Sequence, residues 1–220
     1  SMCWHCQSEL TGEYFCERCV KIQPVSKDTD YFTCLGLPRR LTIDPAVLEA
    51  NYYERSRTFH PDFYLNKTEA ERAISLANAA TLNTAYRTLK DPVQRAEYLL
   101  DLEAGAVKTI RTSPPDDLFE EILELQEMLD TYRAEPPASE QNQQLLARLQ
   151  HKRESLERRQ QELEQELPQL FAEWDALQDQ TPDDDQSRLE RDRVLKRMRE
   201  ILSNRTYIKN ILNDLIDSIG

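Results

Sequence analysis

Leucine recurs at every seventh position through Leu149, Leu156, Leu163, Leu170 and Leu177, with Leu167 and Trp174 at companion positions. A seven-residue apolar repeat keeps one seam of a helix against a partner, so residues 139–178 are predicted to form one long helix that needs company in water. Pro168 falls inside that run, and a proline there removes a backbone donor and crowds the preceding turn. A kink or a local break is therefore expected at Pro168. Two further segments carry stripes of their own. Residues 116–133 place Leu118, Ile122, Leu125, Leu129 and Tyr132 on one face before Pro136-Pro137 stops them, and residues 186–219 do the same with Val194, Met198, Ile201, Ile208, Leu212, Leu215 and Ile219. Three apolar stripes are covered most simply by a three-helix bundle; a free-standing coiled coil that dimerises is the alternative.

Only four glycines occur in 220 residues, and Leu, Glu, Gln and Arg abound, so the fold class is all-α. The length accommodates two modest domains. A formal net charge of -12 opposes nucleic-acid binding, which needs clustered Lys and Arg. No apolar run of about twenty residues is present, so no membrane span is expected. Ser1-Met2 reads as a cleavage remnant before a start codon, with no leader, and a soluble intracellular monomer, at most a weak dimer, is the expectation.

The five cysteines divide sharply. Cys3-x-x-Cys6 and Cys16-x-x-Cys19 offer four thiolates as two close pairs, the donor set of a tetrahedral structural metal site with no position left for water. Zinc fits best, and iron is the rival metal. A disulfide pair and a thioredoxin-like redox motif are the competing readings, but one such pair would suffice for redox work and the following βαβ pattern is lacking. So few residues bury little, and the metal is expected to supply most of this module's folding free energy. His5, between two ligands, is read as a spectator, and Cys34, in an apolar segment, as a small buried hydrophobe.

Between these ends lies a helix pair. Asp44-Pro45 supplies a cap and a first-turn proline for a helix over 44–60 carrying Leu48, Tyr52 and Phe59, and Pro61 stops it. A second helix is predicted from about Thr68 to Leu89, with Leu82, Ala85, Tyr86 and Leu89 on one face, ending at Asp91-Pro92. His60-Pro61-Asp62 sits at the connecting tip. Asp30-Tyr31-Phe32-Thr33-Cys34-Leu35-Gly36-Leu37 is a short apolar segment suited to packing across the open face of the hairpin.

His60-Pro61-Asp62 between two antiparallel helices resembles a J domain, and Asp30-Tyr31-Phe32 with Arg95-Ala96-Glu97-Tyr98-Leu99-Leu100 narrows the resemblance to the HscB-type co-chaperones of iron-sulfur cluster assembly. The organisation that follows is a four-cysteine zinc module over 1–22, a linker over 23–29, a J domain over 30–103, a linker over 104–115 and a C-terminal helical domain over 116–220. The resemblance implies a protein without enzymatic chemistry of its own. His60, Pro61 and Asp62, with Arg55 and Arg57 on the preceding helix, would contact the ATPase of a DnaK/HscA-class chaperone, Asp62 offering its carboxylate to a chaperone arginine. Arg39 and Arg40 would add charge where that helix is less basic than usual. Arg55 falls near the apolar stripe and is expected to snorkel, stem packed and guanidinium in solvent. Many J domains carry Lys after the tripeptide, whereas Phe63-Tyr64 stands here.

The C-terminal domain would bind an IscU-type scaffold through Phe119, Glu120, Leu123, Glu124 and Glu127, with Tyr207 completing the patch. Phe119 and Leu123 lie off the inward stripe of their helix, so they either dock a partner or pack against the J domain. The implied compartment is bacterial cytoplasm, or the mitochondrial matrix of a eukaryote. A general J protein delivering unfolded clients is the competing reading, and three methionines give it little of the soft apolar groove it needs.

Overall fold

The computed structural model describes residues 1–12, 14–103, 113–180 and 184–220, and all its regular elements there are helical. They are α1 (Tyr31–Cys34), α2 (Pro45–Thr58), a single 3-10 turn (Pro61–Tyr64), α3 (Glu69–Lys90), α4 (Pro92–Glu103), α5 (Asp116–Ala134), α6 (Glu140–Gln178) and α7 (Asp185–Ile219). The chain divides into two compact units, Ser1–Tyr98 and Leu99–Gly220. No helix is long and apolar enough to cross a membrane among the described residues.

In the first unit, α2 starts where Asp44 accepts from the Ala46 amide, and α3 starts at a full capping box between Thr68 and Glu71. Between them α2 and α3 bury Leu48, Leu82, Ala85 and Leu89, with Phe59 of the connecting segment. Tyr52 stacks on Tyr86 with ring centroids 4.2 Å apart and donates to Asn83. The segment before α2 does cross the hairpin: α1 packs on α3, and Phe32 and Leu35 are fully buried.

The helix α4 was not foreseen, although its start uses the same device as α2, since the Asp91 carboxylate accepts from the amides of Val93 and Gln94 ahead of Pro92 at the first turn. Its residues explain the Arg95-to-Leu100 motif. Buried Arg95 donates to the carbonyls of Leu89 and Leu41, tying the end of α3 to the loop before α2. Tyr98 accepts from the Tyr31 amide and stacks on the Tyr31 ring at 4.4 Å, fixing α1.

In the second unit α5, α6 and α7 close around Leu118, Leu125, Leu129, Leu149, Leu156, Ile208 and Leu215. The heptad seam is thus covered within the chain. Glu164 with Arg205, Glu166 with Arg197 and Glu173 with Arg193 set α6 antiparallel to α7, while Arg133 near the end of α5 donates to Ser218 near the end of α7, which sets those two parallel. The break expected at Pro168 does not occur: α6 runs unbroken through it. A proline inside a helix costs about 3 kcal/mol. Burial of Leu167, Leu170, Phe171 and Trp174 on either side outweighs that cost.

Candidate functional site

The tripeptide is held as a capped turn. Pro61 fixes φ at the first position, the His60 Nδ1 accepts from the Asp62 amide at 3.2 Å, and Phe63 donates back to the His60 carbonyl. One residue upstream, the buried Ser75 hydroxyl of α3 donates to the Phe59 carbonyl at 2.9 Å and fixes the entry into the turn. The Asp62 side chain is 78% exposed, and its carboxylate faces the His60 ring at 3.5 Å. It is an accessible anion on a rigid turn. Arg57 and Phe63 stand exposed beside it, and with Tyr53, Ser56 and His60 they line a shallow cleft.

The four cysteines converge as well. All four Sγ atoms lie within 4.8 Å of one another, with Cys3 to Cys19 and Cys6 to Cys16 each 3.6 Å apart. A tetrahedron of thiolates with metal-sulfur bonds of about 2.3 Å has edges of about 3.8 Å, so this donor set fits a metal ion. Each pair sits in a knuckle: Gln7 donates to the Cys3 carbonyl and Val20 to the Cys16 carbonyl, and both residues take positive φ, 59° and 60°. Hydrogen bonding from the Ser8 hydroxyl holds the Cys16 thiol down to about 6, while burial pushes Cys19 up to about 12. Close thiols oppose one another's ionisation, and a cation at their centre removes that conflict.

This module is docked on the hairpin. The buried Gln23 side chain donates to Cys3 Sγ at 3.3 Å and its carbonyl accepts from Asn78 of α3, whose Oδ1 takes the Val25 amide. Lys21 pairs with buried Glu71 at 3.0 Å, and Tyr14 packs its ring on Phe59 while donating to the Cys34 carbonyl. Residues 23–25, expected in a linker, are therefore fastened to α3. Cys34 is buried, as expected.

On α5, Phe119 is 50% and Leu123 45% exposed, and Glu120 and Glu127 are exposed on the outward side. The parallel register of α5 and α7 sets the Phe119–Leu123 turn alongside the turn of Tyr207, which is half-buried and packs on the bundle core. Glu124, on the same side as Glu120 and Glu127, is half exposed and reaches across to α6, where it pairs with Lys152 at 3.0 Å.

Residues 30–98 match the family model described as the DnaJ domain. Over 127 residues, 58% of this chain and 50% of the relative, the sequence is 36% identical to an Arabidopsis thaliana protein described as iron-sulfur cluster co-chaperone protein HscB homolog. The matched stretch thus spans about half the length of that relative. Residues 30–98 are a J domain, and the matched stretch is similar to HscB. Its fold is also that of the human co-chaperone protein HscB, whose crystal structure superposes with a TM-score of 0.65 at 24% identity, over 98% of this chain and 97% of that one. The chaperone HscB from Vibrio cholerae aligns with a TM-score of 0.49 at 26% identity, over 85% of this chain and 99% of that one.

One expected surface group is corrected. Arg55 is only half-exposed: its guanidinium lies over Gly36, where an added Cβ would collide with Arg55 Nη2, and its Nε is buried without a hydrogen-bond partner. The hairpin leaves a gap above the glycine turn, and the planar guanidinium fills it. Arg57 is the exposed cation of that helix end, while Arg39 is paired with Asp30 at 2.9 Å. Sequence reading missed Gln23, Glu71, Ser75 and Asn78. The i, i+4, i+7 spacing of the last three, in phase with Leu82, was the available signal.

Proposed function

We propose that this chain is a co-chaperone in iron-sulfur cluster assembly that stimulates the ATPase of a DnaK/HscA-class chaperone and delivers an IscU-type scaffold to it. The supporting observation is Asp62, an exposed carboxylate on a turn fixed by Pro61, by the His60 cap and by Ser75 behind it. Such a group accepts a bidentate arginine without first losing conformational freedom. Arg57, and the weaker contributions of Arg39, Arg40 and Arg55, add positive charge toward an acidic partner surface. The protein catalyses no bond change itself.

The scaffold docks on Phe119, Leu123 and Tyr207, with Glu120 and Glu127 at the rim and Glu124 toward α6. Exposed aromatic and aliphatic anchors ringed by carboxylates favour a partner over solvent. Cys3, Cys6, Cys16 and Cys19 hold zinc, which in a closed four-thiolate site serves structure only. The domains are the zinc module, the J domain to about residue 103 and the scaffold-binding bundle from 116. Work of this kind belongs in bacterial cytoplasm or the mitochondrial matrix.

Asp62→Asn keeps the turn and removes the charge. Steady-state ATPase assays with the chaperone should show stimulation lost with that variant while circular dichroism and thermal stability stay unchanged. Stimulation equal to wild type would take the turn out of the mechanism.

A further inference from the structure

The buried stripe of α3 changes character along its length. Glu71, Ser75 and Asn78 are buried polar residues at i, i+4 and i+7, and Leu82, Ala85 and Leu89 continue the stripe as apolar ones. Buried polar groups persist where each has a partner, and these three have very particular ones. Ser75, in the middle, holds the carbonyl that precedes His60. Glu71 and Asn78, one turn to either side, hold Lys21 and the 23–25 backbone of the cysteine module. The Tyr14 ring from the same module packs on Phe59, the residue whose carbonyl Ser75 grips. Gln23 completes the chain of contacts, because its side chain reaches Cys3 Sγ and its main chain reaches Asn78.

We propose that Gln23, Lys21 and Tyr14 carry the state of the four-thiolate site to the polar face of α3, so that metal binding braces the His60-Pro61-Asp62 turn. Without metal the knuckles lose the bonds that hold their strained positive-φ residues, and Gln23 loses a fixed thiolate to bind. The face of α3 that grips Phe59 then loses its outer support. These are positioning residues, and by linkage the effect runs both ways: weakening the grip on α3 must weaken metal binding. The inference rests on the metal reading of the cysteines and not on docking of a chaperone.

The test is hydrogen exchange on the whole chain, stripped with a chelator and then reloaded with Zn2+ alone, together with Zn2+ affinity of Asn78→Ala and Lys21→Met by competition with a chromophoric chelator. Stripping should speed exchange of the Asp62, Phe63 and 72–79 amides at least about tenfold while α6 and α7 stay protected. Each substitution should weaken Zn2+ binding about fivefold to tenfold, the worth of one buried hydrogen bond or ion pair, although neither side chain touches a cysteine sulfur. Lys21 is at the surface, so that variant carries the comparison should Asn78→Ala fail to fold. Zn2+ bound at wild-type affinity by the variants, or exchange altered only within residues 1–25, overturns the coupling and leaves the metal reading standing. A wild-type chain that binds no Zn2+ overturns both.

Discussion

Gly36 and Val20 face the same backbone demand, with φ of 64° and 60°, and meet it with opposite chemistry. Glycine takes positive φ freely, whereas a β-branched side chain there costs roughly 1–2 kcal/mol. Val20 is tolerated because it is 74% exposed and its amide closes the second knuckle on the Cys16 carbonyl. Gly36 has no such latitude, since the space over it is filled by the Arg55 guanidinium. Gly36→Ala should destabilise the first unit by about 2 kcal/mol or more, from backbone strain plus displacement of Arg55, with midpoints from urea unfolding as the measure. A loss under about 0.5 kcal/mol would mean that Arg55 moves aside freely. The sequence marks Gly36 only as a break in an apolar segment, because which side chain covers a glycine is a tertiary fact.

At the scale of elements, α3 shows what pH should do. Its Glu71 carboxyl accepts from Lys21, which, with the Thr68 contacts, outweighs burial and holds it down to about 2, below the ordinary carboxylate range. A depressed folded-state pKa gives stability that is complete above the unfolded carboxylate value near 4.5 and is lost as pH falls from there toward 2. The stability difference between wild type and Glu71→Gln should therefore be largest near neutrality and shrink steadily below about pH 4.5. A difference independent of pH would assign Glu71 a packing role alone.

The other helices were legible in proportion to how plainly their stripes are apolar. The ends of α5, α6 and α7 fall within a residue or so of the expected positions, because leucine periodicity and caps such as Ser139 and Asp184 state them locally. The start of α3 was legible from Thr68, but the partners of its polar half were not: Glu71 and Asn78 look like surface residues until the cysteine module is laid against them. The continuity of α6 through Pro168 was hidden for the same reason, since tertiary burial overrode a local penalty.

At the scale of the molecule, the proposal divides labour between the tripeptide turn and the α5 patch. Phe119→Ala with Leu123→Ala should weaken binding of a purified IscU-type scaffold at least about tenfold, because truncating interface anchors costs about 2 kcal/mol or more each. Chaperone stimulation in the absence of scaffold should be unchanged. Calorimetry showing full scaffold affinity and a lowered unfolding temperature would instead make those side chains part of the bundle's packing. The most direct test joins both ends in one reaction, the rate at which an iron-sulfur cluster passes from a purified IscU-type scaffold to an acceptor in the presence of a DnaK/HscA-class chaperone and ATP. The account predicts that wild-type chain accelerates transfer, that Asp62→Asn abolishes the acceleration, and that Phe119→Ala with Leu123→Ala shifts it to higher protein concentration. Transfer no faster with wild-type chain than without it, in the presence of active chaperone, would contradict the account.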